Sequence, residues 1–134
     1  MPFVSITRLR IRTPELVDEF AAVLPGVYGQ AADAPGNLGM DLLADANSTF
    51  WTRTVWTDRG AMRSYMTSGD HADVMPLLRD WCDEAHVAHW EQEHSELPTW
   101  EEAHRRLVAD GRVSAVAHPS PDQATRTVAP PVVG

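Results

Sequence analysis

The segment Thr49–Thr57, with the sequence TFWTRTVWT, constrains the fold more than any other part of the chain. Its β-branched and aromatic residues are typical of a strand, where successive side chains point to opposite faces of a sheet. One face would carry Phe50, Thr52, Thr54 and Trp56, and the other Trp51, Arg53 and Val55. Since large apolar side chains fall on both faces, we expect both faces of the sheet to be covered.

Three more segments have the composition and alternation of strands, which gives four strands in total. They are Phe3–Ile11, Leu38–Ala44 and Ala85–Glu91. The turn-forming sequence Asp45–Ser48 joins the second and third strands into a hairpin.

Helices are predicted between these strands from caps and helical spacing. The first begins at Thr13-Pro14 and is ended or kinked by Pro25-Gly26, with a looser piece around Val27 and Tyr28 and a loop over residues 30–37. The others are Arg59–Met66, a helix that starts near Asp70 or Asp73 and reaches Cys82, and Trp100–Asp110.

The resulting order, β-α-β-β-α-β plus a terminal helix, predicts an α+β, ferredoxin-like fold with a four-stranded antiparallel sheet. The domain spans residues 1–111, and residues 112–134, rich in Pro, Ala, Ser and Thr, are predicted as an extended or disordered tail. A homodimer in which two sheets face each other would cover the second apolar face.

Charge and cysteine content exclude several function classes. Eleven Lys and Arg against nineteen Asp and Glu give a net charge of −8, which disfavours binding to nucleic acid or to an anionic membrane surface. No apolar run approaches a membrane span, and no signal peptide is visible. The single cysteine, Cys82, fits a reducing compartment, so we expect a cytoplasmic protein.

Two motifs resemble a known family. The run from Trp56 to His71, WTDRGAMRSYMTSGDH, is similar to the antibiotic-biosynthesis-monooxygenase-like superfamily of dimeric α+β barrels. A second, longer set of short motifs resembles the DUF3291 branch of this superfamily over residues 3–120. These motifs are Phe50-Trp51, Met75-Pro76, Trp81-Cys82-Asp83-Glu84, His89-Trp90-Glu91 and Leu97-Pro98 through His104. The resemblance implies a dimeric α/β barrel with a small-molecule pocket between sheet and helices. Relatives include cofactor-free monooxygenases of polyketide quinols and haem-using enzymes.

Three histidines are the candidate catalytic residues. His71 lies at a helix start, where the helix dipole disfavours the imidazolium and keeps the ring a neutral base, although it could equally be a surface residue at a helix break. His86 and His89 lie three apart on a strand and point to opposite faces, so no shared metal site is expected. One of the two would face the interior, as a structural residue or as a base or haem ligand.

Aromatic residues and one arginine are the candidate substrate-binding residues. Trp51 and Trp90 could stack on a planar ligand or pack in a dimer interface. Met62 and Tyr65 could form pocket walls or simply core. Arg53 could clamp an anion or carbonyl, or form an interstrand ion pair with Asp41.

These features predict a small-molecule oxygenase that oxidises an aromatic or polyketide-like substrate without a cofactor. A haem-dependent oxygenase or dehydratase with His71, His86 or His89 as axial ligand is the first alternative. The second is a non-catalytic ligand-binding protein or a cyclase- or isomerase-type pathway protein.

Overall fold

The computed structural model describes residues 1–132 and contains an antiparallel sheet with helices on both of its faces. The strands are β1 (Phe3–Ile11), β2 (Asn37–Ala44), β3 (Thr49–Trp56), β4 (Cys82–Glu91) and β5 (Arg112–Val113). The helices are α1 (Pro14–Asp33), α2 (Arg59–Met66), α3 (Gly69–Trp81), α4 (Trp100–Asp110) and α5 (Pro121–Thr125). Within residues 1–132, no helix combines the length and apolarity needed to cross a bilayer.

The α+β, ferredoxin-like arrangement is confirmed, but the sheet has five strands instead of the predicted four. Their order is β2-β3-β1-β4-β5, and all neighbours are antiparallel. The extra strand β5 has two residues, which pair with His86 and Val87 at the free edge of β4. A strand this short carries no alternation that sequence analysis could detect.

Helix α1 continues through Pro25-Gly26 to Asp33, whereas the sequence predicts a break there. Proline removes one backbone hydrogen bond and crowds the preceding turn. The second half of α1 still gains burial of Ala31 and partial burial of Val27, and the Gln30 side chain binds the α2–α3 junction. These tertiary contacts outweigh the local cost at the proline.

One face of the sheet is covered by α4 of the same chain. Val4, Ile6 and Val55 are completely buried on this face, together with Ala103 and Leu107 of α4. Both faces are therefore covered, as predicted, but the cover is intramolecular. The homodimer stays a prediction that depends on the family resemblance, because within residues 1–132 helices lie over both faces of the sheet.

The segment predicted as an extended or disordered tail instead includes β5 and α5. Gln123 of α5 is buried; its Oε1 accepts from the backbone N–H of Ala85 (3.1 Å), and its Nε2 donates to the Ser114 carbonyl (2.8 Å). Ser120 Oγ donates to Glu84 Oε2 (2.8 Å). These polar contacts hold residues 112–125 against β4, although the composition of this segment shows no apolar periodicity that would predict a folded element. Residues 133 and 134 lie outside the described part of the predicted tail.

Replacing Leu107 by Ala should lower the free energy of unfolding by about 2–4 kcal/mol, because it opens a cavity between α4 and the sheet. Val108→Ala is the matched control: Val108 is adjacent but 61% exposed, and the expected loss is below about 0.5 kcal/mol. Urea unfolding of both variants tests this. Equal effects would contradict the packing of α4 on the sheet.

Candidate active site

A cavity of about 360 Å³ lies between the other face of the sheet and the helices α1, α2 and α3. This volume falls within the roughly 300–1,000 Å³ typical of small-molecule sites. Its helical wall is apolar and includes Leu24, Val27, Met66 and Leu78. The lining residues Tyr28 and Met75 are more than two-fifths exposed, so the cavity opens to solvent beside them.

The sheet wall of the cavity carries a patch of hydroxyl groups. In the strand register, Ser5 lies opposite Thr54, and Thr7 lies opposite Thr52. The alternation of β1 and β3 directs all four side chains to the cavity face. Thr54 Oγ1 accepts a hydrogen bond from Trp56 Nε1 (2.9 Å). A ligand in this cavity would therefore meet apolar helices on one side and polar hydroxyls on the other.

His71, at the start of α3, lines the cavity with its ring in a fixed orientation. Its Nδ1 lies 3.0 Å from the Met66 carbonyl oxygen, which can only accept, so Nδ1 carries the proton and neutral His71 has its lone pair on Nε2. Burial lowers the pKa of His71, against a raising effect of this hydrogen bond. The backbone N–H of His71 donates to Gln30 Oε1 (2.8 Å), which connects the residue to α1.

Tyr65 and Met62 of α2 form an adjoining part of the lining. The Tyr65 ring stacks on Trp56 at a centroid distance of 5.2 Å and lies 4.7 Å from the His71 ring. Burial raises the pKa of Tyr65 to about 12, so its hydroxyl stays a protonated donor at neutral pH. Met62 is 3% exposed and packs beside Trp56.

His89 lines the cavity from the sheet side. It lies opposite Ser5 in the strand register, and its ring contacts Phe3 at 5.4 Å between centroids. Burial, and then the positive charges of Arg112 and Arg59, lower the pKa of His89. Its Nε2 is buried and has no hydrogen-bond partner among residues 1–132. Such an atom is available to a ligand.

The ring of His86 belongs to the opposite face, as the three-residue spacing from His89 predicts. His86 borders the cavity at the β5 edge, but its Nδ1 lies 3.4 Å from Arg8 Nη1, which also donates to Glu84 Oε1 at 2.7 Å. All three side chains are buried. Burial, and then the charge of Arg8, lower the pKa of His86 to about 4. His86 therefore belongs to a buried charge cluster on that face, and its Nε2, like that of His89, is buried without a hydrogen-bond partner among residues 1–132.

Trp51, Trp90 and Arg53 also lie on the opposite face, and none of these three residues lines the cavity. Trp51 is completely buried, and its Nε1 donates to Asp45 Oδ2 (3.0 Å). Trp90 packs on the core beneath α4. Arg53 forms an interstrand ion pair with Asp41, with 2.6 Å between Arg53 Nη2 and Asp41 Oδ2. This pair is the structural alternative that the sequence predicts for Arg53.

Two residues near the cavity are not identified as site residues by the sequence analysis. Gln30, whose side chain accepts from the backbone of His71, falls in a predicted loop because the sequence indicates a break at Pro25-Gly26. Arg112, which lines the cavity, falls in the predicted tail. The hydroxyl patch had a detectable signal: the alternation of Phe3–Ile11 separates Ser5 and Thr7 from Val4 and Ile6.

The fold is that of a ferredoxin-like α+β protein with a cavity between the sheet and helices α1, α2 and α3. The family described as Domain of unknown function (DUF3291) matches residues 11–113, and the chain belongs to this family. No protein with a curated description matches the sequence.

Several solved structures share the fold. SnoaB, a cofactor-independent oxygenase from Streptomyces nogalater, is 20% identical with a TM-score of 0.57, over 73% of this chain and 98% of its own. Rv0793 from Mycobacterium tuberculosis is 16% identical with a TM-score of 0.63, over 70% and 97%. A protein described as an antibiotic biosynthesis monooxygenase is 19% identical with a TM-score of 0.61, over 69% and 99%.

The buried, neutral His86 should make the protein less stable as the pH falls. The pKa of this residue is 6.5 in the unfolded chain and about 4 in the folded chain. Between these two pH values the unfolded chain binds a proton at residue 86, and the folded chain does not. The unfolding free energy should therefore fall by about 2 kcal/mol between pH 7 and pH 5 on account of His86.

The pH-stability prediction is checked by urea unfolding of the wild type, His86→Gln and His118→Gln at both pH values. His118 is exposed, so its replacement should leave the pH dependence unchanged, whereas His86→Gln should remove about 2 kcal/mol of it. Parallel losses in all three proteins would contradict a neutral buried His86.

Proposed function

We propose that the protein is a cofactor-independent oxygenase that acts on an aromatic, phenol- or enol-bearing small molecule in the cavity. The observation that carries the proposal is the fixed neutral imidazole of His71. Its Nδ1 is bound to the Met66 carbonyl, and its Nε2 is left as a base in a largely apolar cavity. SnoaB, whose description names this type of reaction, supports the proposal through its shared fold.

His71 Nε2 would take the proton of the substrate hydroxyl, which leaves a delocalised anion. An apolar environment strengthens the interaction between that anion and the imidazolium formed beside it. The anion is electron-rich enough to transfer one electron to O₂, after which the carbon radical and superoxide combine into a C–O bond.

Protonation by the imidazolium gives a hydroperoxide at a carbon that still bears hydrogen. Loss of water then leaves a carbonyl, with one oxygen atom in the product and the other in water. The substrate supplies all four electrons, since a CH₂ group becomes C=O, and no external reductant is required.

The other lining residues would hold and orient the substrate. Tyr65, protonated at neutral pH, would turn its hydroxyl from the Val27 carbonyl, 3.5 Å away, to donate to a substrate oxygen, while Met62 and the apolar helices exclude water from the reacting carbon. The hydroxyls of Thr7 and Thr52 face the ligand from the sheet and can hydrogen-bond its oxygen substituents.

Replacing His71 by Asn should reduce oxygen consumption with a hydroxylated anthrone such as dithranol by about 10²–10⁴-fold, the usual contribution of a general base. Rates are measured above spontaneous oxidation with an oxygen electrode, with His118→Asn as the control. The acid limb of the wild-type kcat/KM profile should lie below pH 6.5, since His71 must lose its proton to act and burial lowers its pKa. Unchanged turnover in His71→Asn, or without O₂, would contradict the mechanism.

A haem-dependent reaction is the alternative that the same histidine favours. A histidine whose Nδ1–H is bound to a carbonyl has the orientation usual for metal ligands, and His71 lines the cavity. His71 would hold such a haem, which would supply oxygen activation. A Soret band in purified protein that disappears in His71→Asn would establish this alternative. Colourless protein that ignores added haemin would exclude it.

A further inference from the structure

The charged side chains that line the cavity are all positive, although the chain carries a net charge of −8. Among residues 1–132, only Arg79 and Arg112 bring a charged side chain to the lining, and none of the nineteen acidic residues does. Neither arginine forms a salt bridge within the described chain. The cavity is therefore electrostatically complementary to an anion.

Arg112 is directed to the cavity by its place in the sheet. It lies directly opposite Val87, and directly opposite residues of neighbouring strands project from the same face. Val87 and His89 are two apart on β4, so they share this face as well. Arg112 is also the strongest electrostatic influence on His89, ahead of Arg59. The guanidinium and the imidazole therefore lie at the same end of the cavity.

The backbone around Arg112 is well anchored. The N–H of Ser114 donates to the Ala85 carbonyl (2.9 Å), and the N–H of Ala117 donates to the Arg79 carbonyl (2.8 Å). Gln123, buried beneath the segment, holds the Ser114 carbonyl. The Arg112 side chain is thus an unpaired cation on a fixed support rather than a group on a free terminus.

Unsatisfied hydrogen-bonding capacity is present at the same end. His89 Nε2 is buried without a partner, and Arg112, an exposed residue, forms no salt bridge with any described residue. A buried polar atom without a partner is costly unless a ligand or water completes it. A planar carboxylate could accept from both, since a guanidinium presents paired donors matched to its two oxygens.

We propose that the cavity takes an aromatic ligand that bears a carboxylate, which Arg112 pairs with and His89 hydrogen-bonds, with Arg79 at the rim. The aromatic body lies between the hydroxyl patch and the apolar helices. This inference rests on the proposed function only in treating the cavity as the substrate site. It adds the charge of the substrate and a specificity-determining residue, Arg112.

The test compares three aromatic carboxylates of increasing size, benzoate, 2-naphthoate and 2-anthroate, with their neutral amides. Affinities are measured by isothermal titration calorimetry at pH 7 under nitrogen. We expect at least one carboxylate to bind 10-fold or more tightly than its amide. In Arg112→Gln this preference should fall to less than about 3-fold, while Arg112→Lys should retain part of it.

Arg63→Gln is the matched control, because Arg63 is an exposed arginine on α2 that does not line the cavity. It should leave the preference unchanged. If no carboxylate binds more tightly than its amide, or if the preference survives Arg112→Gln, the proposal is overturned. If the carboxylates bind as expected but the protein does not accelerate the oxidation of dithranol, the oxygenase is refuted and the anion site stands. If dithranol oxidation depends on His71 but no carboxylate preference is found, the oxygenase stands and the anion site is refuted.

Discussion

Successive side chains of a strand must point to opposite faces, and this constraint organises the whole molecule. In β1, Val4 and Ile6 enter the core beneath α4, while Ser5 and Thr7 face the cavity. The same division separates the ring of His86 from His89 on β4. A single five-stranded sheet thus has one densely packed face and one face equipped with hydroxyl and imidazole groups.

The packed face also holds a buried charge cluster that organises the C-terminal segment. Arg8 forms a salt bridge with Glu84, and Glu84 accepts a hydrogen bond from the Ser120 hydroxyl. Burial raises the pKa of Glu84, but these hydrogen bonds and the nearby arginines lower the pKa overall. A buried pair of this kind contributes specificity more than stability, because desolvation offsets its attraction. Here it fixes the segment that leads from β5, and so the edge of the cavity where Arg112 lies.

The sequence predicted the four long strands within three residues, because alternation is strong in segments such as Thr49–Trp56. It also assigned Trp51 and Trp56 to opposite faces, but it could not tell which face would border a cavity. That depends on where α4 packs, which is set by contacts distant in sequence. Helix α1 past Pro25 and strand β5 were missed for the same reason: tertiary contacts, not local propensity, stabilise them.

An acidic protein with two exposed arginines at its cavity has a kinetic consequence. At low ionic strength, where the screening length exceeds about 10 Å, a molecule of charge −8 repels an approaching carboxylate from a distance, while the attraction to Arg112 acts only at close range. Dissolved salt screens the long-range repulsion more completely than the short-range attraction. Capture of an anionic ligand would then accelerate as ionic strength rises, the reverse of ordinary electrostatic steering.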